Sequence, residues 1–512
     1  MAMVGLATGV VPPWSASGRG LSRLLVPSRR VVYGPLPSPP VIRVSPSAAN
    51  GEEMPRRFGL VGGTVVAEDG VHRADVLVDS GRIESVGRIP PSADVEKVDA
   101  RGKIIIPGGV DVHTHMDTPF MGTVTSDDHA SASRAAAVGG TTTYVDYAFQ
   151  RAGERLPEVL ARWAGRANGR SAIDFSFHLA VTSPYPGMVA DMALVVADGV
   201  TSFKVFMAYK GLAMLDDGEL FSILTESSRL GATLCVHAEN GHVIDVLAER
   251  LVRAGRTGPL AHLLSRPPET EVEAVRRAIT LADLADAPLY FVHLSTAGAV
   301  AAVAEAQRAG RPVAGETCTH YLLLDADLYH QPGFEAAKYV VSPPLRTAEH
   351  REALWQGLRE GILGVVSSDH CPFCMSGQKS LGAEDFRRIP NGAPGIEHRV
   401  PLLYGHGVRP GRLSLSRFVE VACTEPARRF GLYPTKGVIR RGADADLVVL
   451  DPEAASVVLA RTMTQNCDYT PFERWHVPGR IEAVYLRGEL IARRGRFVGR
   501  HDAGRFLVRR RA

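Results

Sequence analysis

Long apolar runs are missing from this 512-residue sequence, although 45% of its residues are hydrophobic. No stretch reaches the roughly 20 apolar residues that a membrane-spanning helix needs, so a membrane protein of that kind is excluded. Cysteine is scarce. The six, Cys235, Cys318, Cys371, Cys374, Cys423 and Cys467, are scattered, which argues against a disulfide framework and suits a reducing compartment. Cys371-Pro372-Phe373-Cys374 is a lone C-x-x-C without a second pair at finger spacing, too little for a structural zinc. An excess of either charge is also lacking. The formal +3 is owed to residues 1–53, which hold five of the 58 basic residues and two of the 55 acidic ones. The remainder is balanced, so nothing points to nucleic acid.

What is present begins after residue 53. Residues 1–53 carry eight of the 34 prolines, no acid before Glu52, and no helical or strand period. They suit an organelle transit segment or a spurious extension, with the second favoured. From Met54 the chain is well patterned. Short strand-like runs divided by turn residues fill 56–107, and matching runs return at 443–450 and 481–488. Two flanking β segments imply one small β domain built from both ends.

The middle alternates strands and helices. Strand patterns fall at 103–113, 141–148, 172–181, 201–209, 232–238, 288–294, 312–318 and 361–368. Helical patterns include 155–167, 217–230, 242–254, 297–309 and 348–359. Eight such units suit a closed parallel barrel, whose chemistry sits at the carboxyl ends of the strands. Those ends are the informative positions. His113 and His115 stand two apart on a strand, so their imidazoles face the same way. Alone they read more readily as two loop histidines. The fifth strand ends at His237, the sixth at His293 and the eighth at Asp369, and together these form a divalent-metal ligand set. Lys204 interrupts the apolar fourth strand. Burial lowers an amine's pKa, and a neutral amine beside a metal pair can take up carbon dioxide as a bridging carbamate. The alternative is a lysine whose amine reaches solvent or an acid. His178, His320 and His370 also lie near strand ends and are read as supporting or core histidines.

Six motifs occur in order: Pro107-Gly108-Gly109-Val110-Asp111-Val112-His113-Thr114-His115, Phe203-Lys204-Val205-Phe206-Met207-Ala208-Tyr209-Lys210, His237-Ala238-Glu239-Asn240-Gly241, Tyr339-Val340-Val341-Ser342-Pro343-Pro344-Leu345-Arg346, Ser368-Asp369-His370-Cys371-Pro372-Phe373, and Ile389-Pro390-Asn391-Gly392-Ala393-Pro394. On these, the chain from Met54 onward resembles the dihydropyrimidinase and hydantoinase family of cyclic amidohydrolases. The resemblance implies an α/β fold, a (β/α)8 TIM barrel with a small β-sandwich domain formed by both chain ends. The expected division is 1–53 extension, 54–107 and 437–495 β domain, 108–436 barrel, and 496–512 a solvated or subunit-contacting tail. It also implies two divalent metal ions, zinc by preference. His113, His115 and Asp369 would hold one, His237 and His293 the other, with carbamylated Lys204 bridging both. Tyr209 would donate to the oxyanion, while Ser342 and Asn391 would bind the ureide edge of the substrate. The expected reaction opens dihydropyrimidines or 5-substituted hydantoins to N-carbamoyl amino acids. Its nucleophile would be a hydroxide held by the two metals, with Asp369 as general base and then acid.

An allantoinase-like hydrolase is the nearest alternative. A non-enzymatic scaffold relative is disfavoured by the complete ligand set, and a dihydroorotase by Asp117, which would repel a substrate carboxylate. The gate of the pocket is expected in 116–122, with Met116, Phe120 and Met121 facing the ring substituent. The partners implied are a small cyclic ureide and further copies of the chain, as a tetramer or dimer, with no nucleic acid and no membrane. Localisation is expected to be cytoplasmic, with organelle import if the extension is a transit segment. Expression from Met54 should give soluble enzyme with unchanged activity per metal-loaded site. Loss of soluble, active protein on that truncation would overturn the reading of residues 1–53.

Overall fold

The computed structural model describes residues 57–90 and 95–511. The extension 1–53 lies outside the described residues. Eight parallel strands pair in sequence order: Gly109–Thr114, Thr141–Phe149, Asp174–Ala180, Ser202–Phe206, Thr233–His237, Leu289–Phe291, Val313–Cys318 and Val365–Ser367. A parallel bridge between Thr114 and His370 brings the last strand back to the first. The sheet is thereby a (β/α)8 barrel. Its strands are buried on both faces, which is why they are apolar rather than alternating.

The connecting helices follow polar caps. Asp216 accepts Glu219 N at 2.8 Å, Asn240 accepts Val243 N at 3.1 Å and Thr296 accepts Ala299 N at 3.3 Å, each satisfying a backbone donor that the first turn leaves free. Helices Leu156–Ala167, Asp217–Leu230, Gly241–Arg253, Ala297–Arg308 and Ala348–Arg359 lie where the periodicity puts them.

Both chain ends meet in a second, nine-stranded sheet. Ile104–Pro107 joins them, pairing in parallel with Thr64 and Val65 on one side and antiparallel with Leu447–Leu450 on the other. Leu60, Val76, Ile105, Leu447 and Tyr485 share its core. The stretch 103–113, read as one strand, is therefore two. Ile104–Pro107 belongs to the β domain and Gly109–Thr114 to the barrel. The break falls at Gly108, where a Cβ would meet Thr142 Oγ1 at 2.1 Å, so only glycine lets the chain cross between layers there. A buried cluster ties the layers together: Lys436 Nζ donates to Asp174 Oδ2 at 2.6 Å and to Asp446 Oδ2 at 2.8 Å.

Of the C-terminal arginines, Arg505, Arg510 and Arg511 are exposed, as a solvated tail requires, whereas Arg509 is not. Phe175 N donates to Arg505 O, Leu507 N to Phe175 O and Arg509 N to Gly199 O. Arg509 is buried, donating to Ser176 Oγ at 3.0 Å and to Phe177 O. Burial pulls its guanidinium down to about 10.

Candidate metal centre

The carboxyl ends of five barrel strands converge. His113 lies inside the first strand and His115 one residue beyond it. Lys204 sits in the fourth, His237 ends the fifth, and His293 and Asp369 each follow their strands by two residues. All six are buried and line one cavity. His293, Asp369 and Tyr209 have left-handed backbones, with φ of 39°, 47° and 65°. Such conformations cost of order 1 to 3 kcal/mol and cluster at functional sites. They also end the strands earlier than the apolar pattern does, and so turn these side chains into the cavity. Thus the fourth strand stops at Phe206 rather than at residue 209.

Two nitrogens converge on one oxygen. His113 Nε2 lies 3.1 Å and His115 Nε2 3.2 Å from Asp369 Oδ1. The ligand atoms of this trio lie within 4.8 Å of one another. Across the cavity His237 Nδ1 and His293 Nε2 are 2.9 Å apart. His293 Nδ1 is buried without a hydrogen-bond partner, a costly state for a polar atom unless it coordinates something. The donor set therefore fits divalent metal.

Electrostatics agree. Burial lowers His115 to about 4 and His293 far below its usual value, leaving neutral imidazoles. At His113 burial also pulls down, but Asp369 and Glu316 overcome it and raise the group to about 9. That spot favours a positive charge. Asp369 is pushed up by burial, yet His113 and His115 hold it well below the carboxylate range.

Lys204 is 1% exposed. Its amine lies 4.5 Å from the Tyr147 ring centre and 5.1 Å from that of Phe206. Burial lowers it to about 8. The Asp369 and Glu316 carboxylates offset part of that shift, but solvent does not reach the amine and no carboxylate pairs with it at ion-pair distance among the described residues.

The residues that sequence reasoning overlooked are carboxylates behind the imidazoles. Glu316 contacts His113 Nδ1 and accepts Tyr290 Oη at 2.8 Å. Glu239 accepts His237 Nε2 at 2.8 Å and Arg266 Nη1 at 2.6 Å. Glu316 stands in the buried strand Val313–Cys318, so the reasoning that singled out Lys204, a charge inside an apolar run, applies to it equally. Such partners fix ring orientation and tautomer. Glu239→Gln is expected to weaken metal affinity by about 10- to 100-fold. Titration against a chelator measures this, and an unchanged affinity would remove Glu239 from the role.

Among the other histidines, His178 is satisfied by Ser202 Oγ at 2.6 Å and Val112 O at 3.0 Å. His370 bridges Gly395 N at 3.1 Å and Asp127 Oδ2 at 3.2 Å. His320 is buried, with its Nε2 unpartnered beside Cys318 and Asp369.

The far end of the cavity is polar. Asn391 Nδ2 donates to Ser342 Oγ at 2.9 Å, and both residues lie close enough to the Tyr209 hydroxyl to act on its titration. Burial raises the Tyr209 hydroxyl above its usual value, so it stays protonated. The apolar wall is made by Phe120, Phe149 and Phe206. The expected gate needs correction. Phe120 lines the cavity, but Met116 is fully buried in the barrel core, and Met121 does not line the cavity. Asp117 does not line it either. Its backbone has φ of 54°, its Oδ2 is buried without a hydrogen-bond partner, and its carbonyl accepts Arg166 Nη1 at 2.7 Å. Asp117 therefore does not stand against a substrate held in this cavity.

Comparison with known proteins accords with this architecture. The amidohydrolase family profile matches residues 104–491. A D-hydantoinase of Streptomyces coelicolor is 47% identical over 462 residues, covering 89% of this chain and 98% of the relative. One of Geobacillus stearothermophilus is 46% identical over 448 residues, covering 87% and 95%. The crystal structure of a dihydropyrimidinase from Brevibacillus agri superposes with a TM-score of 0.87 at 46% identity, covering 88% of this chain and 98% of that one. A metal-ligand cluster at the mouth of a (β/α)8 barrel and matches of this length lead to one conclusion: the chain belongs to the amidohydrolase family, within its group of hydantoinases and dihydropyrimidinases.

Proposed function

We propose that this enzyme opens 5-substituted hydantoins and dihydropyrimidines by hydrolysing the ring amide, giving N-carbamoyl amino acids. The observation that carries the reading is one cavity with ligand imidazoles at its base, a phenyl-lined wall and a Tyr209–Ser342–Asn391 polar end. The metal is proposed to be zinc, in two ions: one on His113, His115 and Asp369, the other on His237 and His293, with Lys204 as its carbamate between them. Bound there, the ions would supply Lewis acidity to a water and to the amide carbonyl, bringing the water's pKa to about 7.

The protein's own groups do the rest. Asp369, kept ionised by His113 and His115, accepts the water proton and returns it to the leaving ring nitrogen. The Tyr209 hydroxyl donates to the oxygen on which charge develops. Asn391 Oδ1 is buried without a partner, an acceptor for the N–H of a planar ureide. Phe120, Phe149 and Phe206 exclude water and accommodate an uncharged ring substituent.

Among the described residues no arginine lines this cavity. Arg266 approaches the Tyr209 ring at 5.5 Å, but its charge is engaged by Glu239. A substrate carboxylate would be desolvated without a counter-charge, at a cost of several kcal/mol on an order-of-magnitude estimate. Dihydroorotate is therefore expected to be a poor substrate beside dihydrouracil and 5-alkyl or 5-aryl hydantoins, by about 100-fold or more in kcat/KM. Measuring kcat/KM for these and for allantoin, on enzyme of known metal content, tests the assignment. Best turnover of dihydroorotate or allantoin would displace it. The D-hydantoinase names of the relatives at 46 and 47% identity favour the hydantoin reading over the allantoin one.

A further inference from the structure

The C-x-x-C of the sequence does not act as a pair. Cys371 is buried and lines the catalytic cavity. Cys374 turns outward, half-buried, and meets Cys467 from the segment that precedes the strand His476–Leu486. The two thiols and the Asp468 carboxylate place their polar atoms within 4.8 Å of one another. The backbone on both sides is pinned. Asp468 accepts Met375 N at 2.7 Å and Ser376 N at 3.0 Å, and Cys374 N donates to Gln378 Oε1 at 2.7 Å. Through its amide, Gln378 then holds the gate hairpin, donating to Thr123 Oγ1 at 3.0 Å and Val124 O at 2.6 Å. Phe120 of that hairpin faces the substrate cavity.

We propose that Cys374 and Cys467 form a reversible oxidation site, a dithiol that closes to a disulfide under peroxide and staples the loop anchoring the gate hairpin. The Cys467 hydrogen bond holds the Cys374 thiol down to about 6, while Cys467 itself is raised and stays protonated. Cys374 is then the nucleophile and Cys467 the resolving thiol. The Cys374 thiolate sulfur attacks one peroxide oxygen. The O–O bond breaks, hydroxide leaves, and Cys374 becomes a sulfenic acid. The Cys467 sulfur then attacks the Cys374 sulfur. An S–S bond forms, the S–O bond breaks, and water leaves with the Cys467 proton. The peroxide takes up two electrons, which the two sulfurs supply. The other four cysteines, Cys235, Cys318, Cys371 and Cys423, are buried, and burial raises each of their thiols. Oxidation is therefore selective for the outward pair.

The test treats full-length, metal-loaded enzyme with hydrogen peroxide, blocks free thiols after denaturation, and maps the peptides without reduction. The expected result is a Cys374–Cys467 cross-linked peptide, lighter by two hydrogens, that dithiothreitol abolishes, with the four buried thiols still blocked. In Cys467→Ser, Cys374 should be trapped by dimedone as a sulfenic acid. In Cys374→Ser, no cross-link or dimedone adduct should form at Cys467, and turnover by the reduced variant should equal that of the parent. Full blocking of both thiols after peroxide, or oxidation of Cys374 past the sulfenic acid without a cross-link in the parent, would overturn the proposal.

Discussion

Lys204→Ala is expected to stay folded, lose most of its bound metal and lose activity by on the order of a thousandfold or more. The wild-type amine is 1% exposed and packed against the rings of Tyr147 and Phe206, with burial bringing it to about 8. Such an amine has a far larger neutral fraction near neutral pH than an exposed lysine, on the order of a tenth at pH 7, and the neutral form is the one that reacts with carbon dioxide. Carboxylated as proposed, it would offer two oxygens to metal held by the His113–His115 and His237–His293 pairs. Removing the side chain would then leave the four imidazoles without that anion. Small carboxylates at high concentration should restore part of the metal content, since they replace the missing oxygens without a covalent link. Metal analysis of the dialysed variant, with circular dichroism as the check on folding, decides the matter. Normal metal content in a folded Lys204→Ala enzyme would refute the bridging role.

Asp369→Asn should lower kcat by about 10²- to 10⁴-fold, the range expected for loss of a general acid–base group. Its Oδ1 lies 3.1 Å from His113 Nε2 and 3.2 Å from His115 Nε2, and its backbone is held at φ of 47°. The amide keeps the shape but cannot accept and return a proton. It is also a weaker partner for the cation that His113 and Glu316 prepare the site to hold. The proton-transfer role is separated from the ligand role by saturating the variant with metal before assay. Recovery of parental kcat at full metal occupancy would leave Asp369 as a ligand alone.

Much of this was legible in the chain itself. Strand and helix periods locate the eight barrel units, because a parallel strand buried on both faces must be apolar along its length. Against that background each polar residue is conspicuous. His113, His115, Lys204, His237, His293 and Asp369 stand out as ligand types where apolar runs end, or inside one. Local sequence also sets the helix caps at Asp216, Asn240 and Thr296.

Other features depend on residues far apart in sequence, which local patterns do not encode. Gly108 splits one apolar run into strands of two different sheets, because Thr142 occupies the space a side chain would need. Glu316 and Glu239 gain their roles only when strands meet around the barrel axis. Met116, Asp117 and Phe120 are near neighbours in the chain, yet one enters the core, one lines another pocket and one lines the cavity. Backbone angles and packing set those directions. Cys374 stands three residues after Cys371 but finds its partner in Cys467. The sequence alone determined which chemistry the barrel rim can support, since burying ionisable groups is costly enough to mark them. Tertiary structure alone decided which side chains share a cavity, because proximity between distant segments arises only when the barrel closes.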